Sequence, residues 1–121
     1  MISLSDRLGK IAEMVIPGKA MADVGTDHGY IPISLLEQNK VPFAILCDIN
    51  AGPLEIAKRN IEGASIPEDA YCLRLGSGLE PLTNCEVTTV VIAGMGGELI
   101  LRIISENTDV AKSAKEITDG H

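Results

Sequence analysis

Apolar positions along the chain fall in blocks whose spacing switches between helical and extended periods. Over residues 3–15, Leu4, Leu8, Ile11, Ala12 and Val15 recur every three or four positions, the stripe of an amphipathic helix that Pro17 and Gly18 stop. Residues 20–24 (AMADV) form an apolar run too short for a helix and suited to a buried strand. After a glycine-rich turn, residues 30–38 predict a helix, with Pro32 in its first turn, where an amide needs no intrahelical partner. The alternation repeats. Residues 43–48 predict a strand, 52–61 a helix with Gly63 just past its end, 70–75 a strand, 87–93 a β-branched strand, and 98–106 a helix with Leu99, Ile100, Ile103 and Ile104 facing inward.

Strand and helix taken in turn imply an α/β fold, Rossmann-like, with a mainly parallel sheet and helices on both faces. Each strand run ends in a glycine or a carboxylate: Asp23 and Gly25, Asp48, Gly76 to Gly78, and Gly94 to Gly97. In such folds ligands lie outside the carboxyl ends of the strands, so these turns line one crevice. Residues 107–121 are polar and mixed, with no further apolar run. The expectation is a sheet truncated after the fourth strand and its helix, a fragment in which residues 87–93 form an open edge.

At 121 residues the chain makes one domain, and its 45% hydrophobic content is enough for a real core. No run approaches the roughly 18 apolar residues of a membrane span, and residues 1–15 do not resemble a signal peptide. Cys47, Cys72 and Cys85 are odd in number and lack CxxC spacing, which argues against disulfides and a zinc site and for free thiols in a cytoplasmic protein. The formal charge of -7, the 2% aromatic content and the scattered Arg7, Lys10, Lys58, Arg59, Arg74 and Arg102 give no basic field for a polyanion. If RNA is a partner, much of its grip must come from elsewhere.

The first turn carries the sharpest chemistry. A dinucleotide fingerprint reads G-x-G-x-x-G, its middle glycine letting backbone amides close on a pyrophosphate. Here Asp27 stands at that position, between Gly25 and Gly29, with Asp23 at the end of the first strand and Asp48 at the end of the second. Two like charges about 4 Å apart repel by roughly 4 kcal/mol at an effective dielectric near 20, so NAD fits poorly. A cationic cofactor without phosphate fits better, and S-adenosylmethionine is one. Asp48 is placed for both ribose hydroxyls, and Asp23 for the turn or the methionine ammonium.

Four strings, ADVGTDHGYIPISL, DINAGPLEIAKRNI, RLGSGL and VIAGMGGELI, together resemble the bacterial tRNA (adenine-N1)-methyltransferase family that modifies adenine 22. The resemblance runs over about residues 2–105. It implies a Rossmann-like S-adenosylmethionine-binding domain across residues 1–121, lacking its last strands and the helical C-terminal domain that helps grip tRNA. The family's third motif usually reads G-D-G-L, whereas this chain has Gly76, Ser77, Gly78 and Leu79; Ser77 offers the adenine amino group an uncharged, weaker acceptor.

With that resemblance the cofactor set is Asp23, Gly25, Thr26, Gly29, Asp48, Ile49, Asn50, Gly76, Ser77, Gly78, Ala93, Gly94 and Met95. Methyl transfer to a neutral ring nitrogen depends on positioning more than on a strong base. Asp27 and His28 are candidates for stabilising the cationic product or taking its proton, and Tyr30 for stacking on the target base. The alternatives for these positions are purely structural: loop-fixing hydrogen-bond partners for Asp27 and His28, a helix start for Tyr30, and tight turns for the glycines. A second reading of the chain is a catalytically inactive S-adenosylmethionine-binding module, or a fragment that self-associates through its open edge.

Overall fold

The computed structural model describes residues 4–92, 97–114 and 116–118, the last three by backbone alone. The first helix, α1 (Asp6–Glu13), opens on Ser5, whose hydroxyl accepts the Leu8 amide, and carries Asp6 in its first turn and Lys10 in its last, in favourable alignment with the helix dipole. Strand β1 (Met21–Val24) follows, then α2 (Tyr30–Glu37), β2 (Ala44–Asp48), α3 (Ala51–Gly63), β3 (Tyr71–Leu75), β4 (Thr89–Ile92), α4 (Gly97–Glu106), α5 (Thr108–Ser113) and β5 (Glu116–Thr118).

The strands form one parallel sheet in the order β3-β2-β1-β4-β5. Buried on both sides, β1, β2 and β4 carry near-continuous apolar sequence, and successive side chains still divide between two cores. Met21, Ala44, Leu46 and Val91 pack with α1, α2 and α3 on one face. Ala22, Val24, Ile45, Cys47, Val90 and Ile92 pack on the other with α4, α5 and the connection between β3 and β4. Buried Thr89 ties the layers together by accepting the Ile16 amide at 3.1 Å.

The expected end of the sheet is corrected here. After α4 the chain adds α5 and β5, and β5 pairs in parallel with β4 through Thr89↔Glu116, Val90↔Ile117 and Val91↔Thr118. The edge expected along residues 87–93 is therefore covered. A three-residue strand leaves almost no periodic signal, and backbone pairing supplies what apolar content does not. The third helix also runs on through Gly63, and Ser65 takes the left-handed conformation at φ 59° instead. On α4 the inward face is Ile100 and Ile103, with Ile104 partly covered and Leu99 exposed.

Cys47 is buried, Cys72 half-buried and Cys85 exposed, all free. Burial, then the nearby Asp23 carboxyl, pushes the Cys47 thiol up to about 12. No helix among the described residues is long and apolar enough to cross a membrane.

Candidate cofactor site at the strand ends

The turn from β1 to α2 is built on two left-handed glycines, Gly25 at φ 73° and Gly29 at φ 76°. Gly29 lies beneath the turn, where a Cβ would come within 3.2 Å of Ala57 Cβ and Leu46 Cδ2. Its lack of a side chain lets α3 pack close, and it lines neither cavity described below. Asp27 is also left-handed, at φ 54°, a conformation that Asp tolerates better than most residues.

The turn's amides are already engaged within the protein. Those of Gly25 and Thr26 both donate to the Cys47 carbonyl at 2.9 Å, Gly29 to the Thr26 carbonyl at 2.9 Å, and Asp27 to Asp48 Oδ2 at 3.3 Å. A phosphate-binding loop directs its amides at the ligand; this one directs four inward and carries the exposed Asp27 carboxylate at its surface.

Asp48 fastens its own turn to the one beside it. Its Oδ1 accepts the Asn50 amide at 3.0 Å, which steadies the start of α3, while Oδ2 holds Asp27. An ionised carboxylate has about four acceptor directions, so two amides leave room for two hydroxyls. Asp23 is 3% exposed, and its Oδ2 accepts the Thr26 hydroxyl at 2.9 Å. Burial pushes its carboxyl up to about 7; the Thr26 hydrogen bond opposes that shift, and the charges of Asp48 and Asp27 add to it.

Two cavities flank Gly25. The first, about 510 Å³, is lined by Asp23, Gly25, Thr26, Asp27, His28, Tyr30 and Ile31 together with Ser5, Arg7 and Leu8 of the α1 segment. At this cavity the His28 and Tyr30 rings stack, centroids 5.1 Å apart and planes at 19°, and His28 Nδ1 lies 3.1 Å from Asp27 Oδ2. The Asn60 side chain donates to the His28 carbonyl at 2.8 Å and fixes the backbone beneath the stack. The second cavity, about 450 Å³, is lined by Val24, Gly25, Asp48, Ile49, Asn50, Gly76, Ser77 and Gly78 and by Leu99, Arg102, Ile103 and Glu106 of α4.

Apart from Gly29, the described site residues expected from sequence divide between two adjoining hollows that share Gly25. Ala93, Gly94 and Met95 lie outside the described residues. The contributions of α1 and α4 were missed. The only hint of the latter was the i,i+4 spacing of Arg102 and Glu106, whose charged atoms stand 3.9 Å apart.

A Rossmann-like parallel sheet with two adjoining cavities at the carboxyl ends of its strands is the arrangement in which such folds hold their ligands. A family model described as a methyltransferase domain matches residues 4–118, and the chain belongs to that family. It is 38% identical over 108 residues to the tRNA (adenine(22)-N(1))-methyltransferase of Bacillus subtilis, covering 89% of this chain and 45% of that one. The crystal structure of the B. subtilis m1A22 tRNA methyltransferase TrmK superposes with a TM-score of 0.86 at 37% identity, over 91% of this chain and 47% of that chain. The structure of M. capricolum TrmK in complex with S-adenosyl-homocysteine superposes with a TM-score of 0.79 at 39% identity, over 86% of this chain and 47% of that chain. The chain spans about half the length of the relatives it matches.

Proposed function

We propose that this domain binds S-adenosylmethionine along the strand ends and directs its methyl group to N1 of adenine 22 in tRNA, in the cytoplasm. The observation that carries the cofactor reading is the rim itself: Asp23 and Asp48 lie in the last two positions of neighbouring strands, and four amides of the turn are spent inside the protein. The relatives' named activity and the S-adenosyl-homocysteine bound by one of them support the same reading.

In this proposal Asp48 accepts both ribose hydroxyls with the acceptor directions that Asn50 and Asp27 leave over. Asp23, steadied by Thr26, faces the methionine ammonium across the first cavity. Gly25 joins the two halves, Ile49 and Asn50 border the ribose, and Ser77 between Gly76 and Gly78 accepts from the adenine amino group. When bound, S-adenosylmethionine supplies an electrophilic methyl group on a sulfonium. Tyr30, 41% exposed and stacked on His28, offers an aromatic face to the target base. Asp27 orients the His28 ring, and the pair stabilises the alkylated, cationic adenine or takes the proton that it sheds. With a net charge of -7, the domain leaves most of the tRNA grip to the helical region that the family resemblance implies.

Calorimetry with S-adenosylmethionine and S-adenosyl-homocysteine, followed by labelled methyl transfer to tRNA carrying A or G at position 22, tests the reading. Binding and A22-dependent transfer are expected. Binding without transfer to either tRNA leaves a cofactor-binding module in place of an enzyme; no binding of either nucleoside removes the proposal.

A further inference from the structure

The second cavity has one wall without regular structure. Between β3 and β4 the chain crosses with no helix, and Ser77 sits at the start of that stretch. Short turns shape it: the Glu80 amide donates to the Ser77 carbonyl at 3.0 Å and the Leu82 amide to the Leu79 carbonyl at 2.9 Å. Leu79 and Leu82 fasten it to the sheet, at 0% and 4% exposure. The Gly76 amide pins its start to the Asp48 carbonyl at 3.0 Å and the Thr88 amide its end to the Ala20 carbonyl at 2.9 Å; between those pins, turns and two apolar plugs leave the height of the wall free to vary.

Arg74, on the strand that leads into the wall, removes that freedom. Its two guanidinium nitrogens reach Glu86 Oε1 and Oε2 at 2.7 Å each, and Nη1 also donates to the Pro81 carbonyl at 2.8 Å. Glu86 in turn accepts the Thr83 amide at 3.1 Å. One planar fork therefore grips the middle and the far end of the connection together. The Pro81 ring is thereby held over Gly76, where a Cβ would lie 2.6 Å from Pro81 Cγ. Two residues on, left-handed Gly78 is backed by Ile103 of α4, with a Cβ position 3.1 Å from Ile103 Cγ2. Ser77 is caught between these two close approaches.

We infer that Arg74, clasped to Glu86 and the Pro81 carbonyl, is a positioning residue that sets Ser77 and the adenine-side wall of the cofactor cavity without touching the cofactor. The inference rests on the proposed cofactor. Its effect falls on the purine end of the ligand, because the clasped Pro81 packs on Gly76 of the second cavity's lining, and neither Gly76, Ser77 nor Gly78 lines the cavity of Asp23 and Tyr30.

The test compares the full chain with Arg74→Gln, Arg74→Lys, Glu86→Gln and the double variant, measuring affinity for S-adenosyl-homocysteine and for its analogue with inosine in place of adenosine. The wild type is expected to prefer the adenosine form. Arg74→Gln is expected to weaken S-adenosyl-homocysteine by about tenfold, the scale of a lost charged hydrogen bond, and to erase most of that preference. Arg74→Lys, with its charge but no fork, is expected to fall between, and the double variant to be no worse than the poorer single one. Lower melting temperatures with affinity and purine preference unchanged would overturn the inference and leave the cofactor reading intact. A wild-type chain that binds neither nucleoside overturns the cofactor reading and this inference with it.

Discussion

The two faces of the sheet are covered by different means. On one, α1, α2 and α3 lay a helical layer over Met21, Leu46 and Val91, connected through β1 and β2. On the other, α4 and α5 cover part of the surface, and Leu79, Leu82 and Val87 fill the rest from a connection with no helix. The difference shows that equal dryness does not require equal order. Ile33 and Leu79 are both 0% exposed, yet one lies within a helix and the other on a stretch shaped by isolated turns and one ion pair. The irregular covering contributes the Gly76 to Gly78 wall of the site, and the helical one contributes the turn with Asp27.

Truncation separates the two most directly. Ile33→Ala is expected to cost about 4 kcal/mol because the helices and sheet around it cannot close the space, and Leu79→Ala about 2 kcal/mol because the connection can sink into the gap. Denaturant unfolding of both variants measures the contrast. A Leu79→Ala cost above that of Ile33→Ala would break it.

Where the coverings meet at the rim, protonation gives the next effect. Asp23 has a folded value of about 7 against an ordinary 3.8, so folding disfavours its charged form. Its influence on stability is therefore least unfavourable below about pH 4, worsens as pH rises from 4 to 7, and levels off above 7. Asp23→Asn, whose carbonyl can still accept from Thr26, is expected to stabilise the protein by roughly 2 kcal/mol at pH 8 and hardly at all at pH 4. Melting curves across that range check the sign; equal effects at both ends would contradict it.

Glycine replacements probe how each covering yields. Gly29→Ala is expected to cost about 2 kcal/mol, since left-handed strain adds to contact with Ala57 on α3. Gly78→Ala is expected to cost about 1 kcal/mol, because the Ile103 side chain that it meets can turn aside. Smallest of all, Asp27→Gly is expected to stabilise by about 0.5 kcal/mol through relief of its φ of 54°. Thermal denaturation of the three variants ranks them, and a reversed order of the two alanine variants would mean that α4 is the stiffer neighbour.

Legibility in the sequence follows the same division. The helical face was readable because Leu8, Ile11 and Val15, and later Ile31 and Leu35, repeat at helical spacing, and the buried strands because AILCD and TVVI leave no room for polar alternation. Asp23, Asp27 and Asp48 stand out as candidates in the sequence because a carboxylate occupies the place of the fingerprint's middle glycine and two others lie near the ends of the apolar strand runs. The second covering was less legible. Leu79, Leu82 and Val87 follow no period, β5 is three residues of backbone pairing, and Arg74 with Glu86 lie twelve positions apart with nothing local to join them. Arg102 and Glu106 reach the cavity only because α4 packs across the strand ends, a matter of tertiary placement.

The three thiols give the irregular covering a reporter of its own. Cys47 is shut away and held far from its reactive form, whereas Cys85 stands exposed one residue before Glu86. A maleimide fluorophore on Cys85, in a chain with half-buried Cys72 changed to serine, would sit at the far end of that connection. Its emission would follow the stretch as ligand fills the neighbouring hollow, without a foreign cysteine being introduced.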